Sequence, residues 1–302
     1  MALIPFDDRD GFIWFDGALV PWREAKIHVI THGLHYGSCV FEGERAYEGQ
    51  IFKSVEHTAR LFKSADLLGM EMPFTQEQIN EAKEEVLKAN NLVDAYLRPV
   101  AWRGSEQMGI AAQSTKTHVA IAAWEWPSYF SPELREHGIS LKTSSWKKPA
   151  PDTAPCHAKA AGLYMINTLS KHDAEKAGYI DALMCDYRGY PVEATGANLF
   201  RIKDGVIRTP KPDCFLNGIT RQTAIELARD LGFPLEEDHI TMEDLKSADE
   251  VFITGTAAEV MPIGKIDDTV YAVGPVSRAL REAYENLVRG RPYMAKKNSE
   301  AA

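Results

Sequence analysis

Apolar and polar positions repeat with two periods along the chain, and the changes of period mark its elements. Near the start, Phe12–Phe15 and Ala18–Trp22 are short β-rich runs flanking Asp16-Gly17, which predicts a hairpin. A second strand pair, Cys39–Tyr47 and Gln50–Lys53, flanks Glu48-Gly49. From Ser54 the spacing turns helical through Leu68, with Ala59, Phe62 and Ala65 on the expected apolar face and Gly69 as the stop. Thr75-x-x-Gln78 has the form of a capping box for a helix running to about Asn90. Ala95–Trp102 and Thr117–Trp126 are apolar runs too short and too β-rich to prefer helix. The first part of the chain reads as α+β.

Pro127, Ser128 and Pro132 then break the pattern, which predicts an interdomain loop over 127–137. It separates a smaller N-terminal α/β domain (1–126) from a larger C-terminal one (138–302). The second part opens with a strand, Ile139–Trp146, a polar loop, Lys147–Pro155, and a helix from about Leu163 to Ala177 closed by Gly178. Asp181–Asp186 and Asn198–Lys203 read as strands, as does Val206–Thr209 beyond the Asp204-Gly205 turn. Thr220–Leu231 is a helix stopped by Gly232, and Val251–Thr254 is a buried strand running into Gly255-Thr256-Ala257-Ala258. Ser277–Arg289 is a terminal amphipathic helix, and the composition of Ala295–Ala302 predicts a disordered tail. The expected fold class is α+β, two α/β domains joined by a loop.

Charge narrows the function. Lys and Arg number 34 against 43 Asp and Glu, a net charge of -9, which argues against a general binder of nucleic acid or anionic membrane. A basic pocket within such a chain suits a small anionic ligand. Cys39, Cys156, Cys185 and Cys214 are widely spaced and predict free thiols in a reducing, cytoplasmic setting. The first residues lack a signal-peptide core, and no apolar run approaches the roughly 20 residues of a membrane span. His32 and His35 stand three apart with no second ligand cluster, so no metal is expected.

Several segments carry candidate chemistry, each with an ordinary alternative. His157-Ala158-Lys159-Ala160-Ala161-Gly162-Leu163-Tyr164 sets one lysine among residues small enough for a flat ligand to approach. Taken alone, it reads more readily as a solvated lysine before a helix. Glu193 enters a small-residue turn ahead of Asn198; such a carboxylate can keep a pyridinium nitrogen protonated, or be an exposed turn residue. Asn217-Gly218-Ile219-Thr220 leads into a helix whose first amides suit a phosphate, although Thr is also an ordinary N-cap. Gly255-Thr256-Ala257-Ala258 is a second small-residue turn, or simply a strand end. Arg60 lies within a helix, where a solvated or paired arginine is the default. Arg98, between apolar neighbours in a core strand, calls for an anionic partner, protein or ligand, and a ligand is the expectation here.

No single segment decides the function, but their order does. His35-Tyr36-Gly37 with Val40-Phe41-Glu42-Gly43, then Arg60-Leu61, Tyr96-x-Arg98, His157 to Tyr164, Glu193 with Gly196-Ala197-Asn198-Leu199-Phe200, Gly218-Ile219-Thr220 and Gly255-Thr256-Ala257-Ala258-Glu259 follow in series. This series, from about Ile13 to Pro262, closely resembles the branched-chain aminotransferases of the fold-type IV pyridoxal-phosphate enzymes.

The resemblance implies pyridoxal 5'-phosphate as cofactor, with Lys159 as the Schiff-base lysine that later shuttles the Cα proton. It implies Tyr164 on the phenolate oxygen, Glu193 on the pyridine nitrogen, and Arg60, Ile219, Thr220, Gly255 and Thr256 around the phosphate. Leu216 and Gly218 would line the ring, with Gly196 and Asn198 shaping its acidic side. Tyr96 and the amides of Thr256 and Ala257 would take the substrate α-carboxylate, and Arg98 the distal carboxylate of glutamate. Tyr36, Phe41 and Gly43, with Arg45 beside them, would form the side-chain pocket, closed by Trp126 and Tyr129. Met108 and Ile110 match a loop that in this family reaches the partner subunit's site, which implies at least a homodimer.

The reaction so implied transfers the amino group of leucine, isoleucine or valine to 2-oxoglutarate by a ping-pong route. Three positions depart from the family pattern: Glu44 and Arg103 where apolar residues are usual, and Asn217 where proline is common. Glu44 and Arg103 have opposite charge and are candidates to pair. Alternatives within the fold are a D-amino-acid or (R)-amine transaminase, against which Tyr96-x-Arg98 and Met108-Gly109-Ile110 argue. An aminodeoxychorismate lyase has a bulky aromatic substrate that fits the Phe41 pocket less well. A structural homologue without turnover is disfavoured by the intact lysine, tyrosine, glutamate and phosphate set.

Overall fold

The computed structural model describes residues 4–126 and 130–293; the expected tail at Ala295–Ala302 and the expected pocket residue Tyr129 lie outside them. The chain divides into two compact units, Met1–Pro127 with His157–Tyr164, and Ser128–Cys156 with Met165–Ala302.

In the first unit the elements run β1 (Phe12–Phe15), β2 (Ala18–Pro21), α1 (His32–Tyr36), β3 (Cys39–Phe41), β4 (Glu44–Tyr47), β5 (Gln50–Ile51), α2 (Ser54–Leu67), α3 (Gln76–Ala89), β6 (Ala95–Arg103) and β7 (Thr117–Glu125). The strands form one sheet in the order β2-β1-β7-β6-β4-β5, with β3 also on β6. The hairpin at Asp16-Gly17 forms as expected, Phe15 opposite Ala18. So does the capping box, in which Gln78 N–H donates to Thr75 Oγ1 and Thr75 N–H to Gln78 Oε1.

Several expectations need correction. The run 39–47 is two strands, because its partner β6 carries Pro99, which has no N–H to give. Glu42 N–H instead donates to the Pro99 carbonyl at 2.8 Å, and the chain kinks at Glu42-Gly43. The inward face of α2 is His57, Thr58, Leu61, Ser64 and Ala65; Ala59 is exposed and Phe62 only partly buried. That face is half polar because it meets buried charges. Lys83 of α3 reaches Glu44 at 2.8 Å and Thr58 Oγ1 at 2.6 Å, so Glu44 pairs with Lys83 and not with Arg103. Arg103 is taken up by the carbonyls of Leu68, Gly69 and Ala112.

The segment bearing Lys159 groups with this first unit, whereas the sequence assigned 138–302 as one domain. Backbone pairing explains it: Phe41 N–H donates to the Lys159 carbonyl at 3.1 Å, Lys159 N–H to Ser64 Oγ at 3.0 Å, and Val40 bridges Ala160.

The second unit contains α4 (Pro132–His137), β8 (Ile139–Lys148), α5 (Met165–Lys176), β9 (Asp181–Asp186), β10 (Pro191–Ala194), β11 (Asn198–Lys203), β12 (Val206–Thr209), α6 (Ile219–Asp230), β13 (Leu235–Glu237), α7 (Met242–Lys246), β14 (Glu250–Gly255), β15 (Glu259–Ile266), β16 (Thr269–Val270) and α8 (Pro275–Leu287). Strands β10-β9-β8-β15-β14-β11 follow one another, and β10 pairs again with β11, closing a ring around Leu141, Leu183, Leu199, Ile253 and Met261. Closure removes the open edges that a short strand such as β10 would otherwise leave. Helix α4 falls in the expected loop; Ser131 caps it on Leu134 N–H and Pro132 opens it. Strand β15 was hidden by Pro262 and Gly264, which read as breakers in isolation.

Candidate active site

Lys159 is fixed at its backbone, so its side chain has a defined origin. Nζ donates to Tyr164 Oη at 2.9 Å and stands 4.8 Å from the centre of the Phe41 ring. Phe41 and Tyr164 meet edge to face at 4.9 Å. The lysine thus faces two aromatic rings, and one of them, Tyr164, also gives it a polar partner.

Arg60 comes from α2 beneath this group. Its Nε and Nη2 grip the two oxygens of Glu42 at 2.7 Å each, leaving Nη1 for another partner. His57 Nδ1 donates to the same carboxylate at 2.7 Å. Burial alone would raise the Glu42 carboxyl, but Arg60 and His57 outweigh it and hold it well below the usual carboxylate range. Burial would likewise lower Arg60, yet the charge of Glu42, with Tyr164 adding to it, raises it. Glu44, also fully buried, is raised because burial outweighs Lys83 and His57. Arg60 is therefore neither solvated nor loose: it is a held cation with spare donors.

Tyr96 and Arg98 share one strand face. Tyr96 is buried, stacked on Trp124 at 5.2 Å and tilted against Trp126 at 5.1 Å. Gly43 lies against it so closely that an added Cβ would sit 2.0 Å from Tyr96 Oη, so only glycine fits. Arg98 donates to Tyr96 Oη at 3.1 Å and lies over the Phe41 ring at 4.8 Å; among the described residues its buried Nε has no partner. Arg45 is buried and reaches the Trp126 carbonyl at 3.4 Å, bracing the backbone there. Tyr36, Met108 and Ile110 are exposed.

In the second unit Glu193 is a buried residue of β10, not a surface turn. Its Oε1 pairs with Lys148 Nζ at 2.9 Å, and Asn198 Nδ2 approaches Oε2 at 3.4 Å. Lys148, which the sequence placed in a loop, ends the longer-than-expected strand β8 and is buried. Asn198 also ties down the turn before α6: Nδ2 donates to the Leu216 carbonyl at 3.1 Å, and Gly218 N–H to Oδ1 at 3.1 Å. An added Cβ on Gly218 would lie 2.2 Å from Asn198 Oδ1. Helix α6 then starts at Ile219 with no side-chain cap, so its first amides are offered outward beside the buried Thr220. Gly255 ends β14, its Cα side packed on the Gly196 carbonyl, and Thr256 and Ala257 form the turn that follows. The atypical Asn217 accepts from Arg221 at 2.9 Å.

These donor sets fit a phosphorylated pyridine aldehyde. A primary amine beside a phenol, a buried carboxylate, a held arginine with spare N–H groups and an uncapped helix start are the groups such a molecule needs. Arg98 Nε and Thr254 Oγ1, buried without partners among the described residues, are further polar atoms open to a ligand. No group of three or more metal-ligating side chains occurs among the described residues.

The amino-transferase class IV family model matches residues 39–266. A branched-chain-amino-acid aminotransferase of Pseudomonas aeruginosa is 46% identical over 291 residues, 94% of this chain and 95% of that protein. The solved T.th. branched-chain amino acid aminotransferase with pyridoxamine 5'-phosphate superposes with a TM-score of 0.91 at 42% identity, covering 94% of this chain and 96% of that one. The same enzyme complexed with N-(5'-phosphopyridoxyl)-L-glutamate gives a TM-score of 0.89 with the same identity and coverage.

Proposed function

The chain belongs to the class IV aminotransferases, and from that premise we propose that it is a pyridoxal-phosphate transaminase passing the amino group of branched-chain L-amino acids to 2-oxoglutarate. The observation that carries this reading is the Lys159–Tyr164 pair, fixed by its backbone in front of the held cation Arg60. When bound, the cofactor supplies a pyridinium ring that accepts the electron pair left at the substrate Cα.

The chain's residues supply the rest. Lys159 Nζ would hold the cofactor and, as a free amine, would carry the proton to and from the substrate Cα. Tyr164 steers that amine through its hydrogen bond. Glu193, set by Lys148 and Asn198, holds the proton on the pyridine nitrogen. On the family's pattern, Arg60 Nη1 of the first unit and, from the second, the amides of Ile219 and Thr220 and the turn at Gly255-Thr256 would bind the phosphate, while Leu216, Gly218 and Gly196 would border the ring.

Both substrates share an α-carboxylate, met by Tyr96 and the amides of Thr256 and Ala257. Phe41, Tyr36 and Gly43 receive the aliphatic side chain, Trp126 closes over it, and Arg98 meets the distal carboxylate of glutamate. An apolar pocket without Arg98 would leave that carboxylate unpaired, at a cost of several kcal/mol.

We further take the enzyme to act as at least a homodimer in the cytoplasm. The first unit exposes Val29, Leu34, Tyr36 and Ile110. It also has a largely apolar cavity of about 440 Å³ that includes Ile13, Ile27 and Leu34, and exposed apolar surface of this kind marks interaction sites. All four cysteines are free, and no helix of the described residues is long and apolar enough to cross a membrane. A donor panel of L-leucine, L-isoleucine, L-valine, D-alanine and (R)-1-phenylethylamine with 2-oxoglutarate tests the reading. Turnover of the three branched L-donors is expected; a preference for either the R-configured or the D-donor overturns it.

A further inference from the structure

Residues 104–116 join β6 to β7 as a loop closed at its base by Gly104 N–H donating to the Lys116 carbonyl at 2.9 Å. Its apex, Met108-Gly109-Ile110, turns apolar side chains outward: Met108 is 49% exposed and Ile110 86%. With no core under the apex, its position has to come from polar ties. Most of them hold the flanks. Arg103 donates to the Ala112 carbonyl at 3.2 Å, and Glu106 accepts from Lys116 N–H and from His118 Nε2, both at 3.0 Å.

One residue of this set reaches the apex. His32 of α1 is 2% exposed, and its Nε2 lies 3.0 Å from the Gly109 carbonyl. A carbonyl only accepts, so the ring proton sits on Nε2. Gly109 has φ +129°, a conformation open to glycine alone, and that twist belongs to the turn presenting the carbonyl. The His32 backbone N–H donates to the Gly104 carbonyl at 2.8 Å, so one residue binds both the root and the tip of the loop. On its other side the imidazole packs against Tyr36 at 4.7 Å. His32 and His35, three apart in sequence, do not act together: His35 Nε2 is bonded to the Val29 carbonyl at 2.9 Å.

We infer that His32 is a positioning residue for substrate selection, fixing Tyr36 and the Met108–Ile110 apex relative to each other through one buried ring. The inference rests on the proposed function, in which Tyr36 lines the side-chain pocket, and on the family resemblance, which has Met108 and Ile110 reach the partner subunit's site. Shifting either element moves an apolar wall, which alters how well a side chain is received more than it alters proton transfer at Lys159. His32 therefore acts on KM more than on kcat.

Two variants of the cofactor-loaded protein separate its contacts. His32→Phe keeps a ring against Tyr36 and removes the donor; His32→Gln keeps a donor and removes the ring. In His32→Phe, amide hydrogen exchange over 104–116, whose hydrogen-bonded amides are those of Gly104, Ser114, Thr115 and Lys116, is expected to quicken about tenfold, the weight of one lost buried hydrogen bond. KM for leucine should rise by a similar factor, about tenfold, while kcat falls less than about threefold. His32→Gln should restore slow exchange. Unchanged exchange in His32→Phe overturns the role of His32. Faster exchange with KM unchanged, both there and in Ile110→Ala, overturns instead the substrate-facing reading of the loop.

Discussion

The two units prepare their functional groups in different ways. The first works with long side chains whose heads are locked by other side chains: Lys159 on Tyr164, Arg60 on Glu42, Arg98 on Tyr96. The second works largely with backbone and small residues: the uncapped start of α6, the turn after β14, and Asn198 holding the 216–218 turn. Side chains can be removed one atom group at a time, whereas a backbone amide survives almost any substitution. The first unit should therefore give large single-residue effects and the second, apart from the Lys148-locked Glu193, small ones.

The largest effect belongs to Lys159→Ala. Removing the amine removes both the anchor and the proton carrier, and turnover should fall by about 10³-fold or more. Single-turnover measurements with leucine would check it, alongside loss of the holoenzyme's visible absorbance.

Next is Glu42→Gln. It strips a partly buried arginine and a buried histidine of their common partner, and denaturant unfolding should report a loss of about 3–5 kcal/mol. Cofactor retention should fall with it, since Arg60 loses its hold. The wild-type protein carries the matching pH signature. The folded-state pKa of Glu42 is depressed, so its contribution is fully present above the ordinary glutamate value of about 4.3 and is lost as pH falls below it. The acid limb of stability should be shallower in Glu42→Gln.

Arg98→Met should cost the glutamate half-reaction about 2–4 kcal/mol, roughly 30- to 1000-fold, and spare the leucine half-reaction. Equal losses would make Arg98 a shared α-carboxylate anchor. In the second unit Thr220→Val should weaken cofactor binding by only about 1 kcal/mol, because the amides remain. A loss as large as that of Arg98→Met would break the contrast between the units. Smallest of all is the double change Glu44→Ile with Lys83→Met. Replacing a buried ion pair by apolar groups is often neutral or stabilising, so the melting temperature should hold or rise.

How much of this was legible in the sequence follows from the range of each interaction. The capping box at Thr75–Gln78 and the hairpin at Asp16-Gly17 are settled within a few residues, and both were readable. The Lys159 segment was readable as chemistry but not as architecture, because it is Phe41 and Ser64, far along the chain, that draw it to the first unit. Glu44 and Lys83 are 39 residues apart, so Glu44 looked like an anomaly awaiting Arg103. Lys148 was missed outright: a lysine at a strand end looks solvated, and the approach of Glu193 and Asn167 makes its burial tolerable. The inward face of α2 misled for the same reason, since His57 and Thr58 read as outward residues until their buried partners are known.

Lys148 also sharpens the central test, because the chain holds a second partly enclosed lysine beside a proposed cofactor ligand. Reducing the cofactor-loaded protein with borohydride and mapping the tagged peptide would identify the lysine that binds the cofactor. The account predicts the tag on Lys159, in the peptide that also contains Tyr164. A tag on Lys148, or on any other lysine, would contradict it.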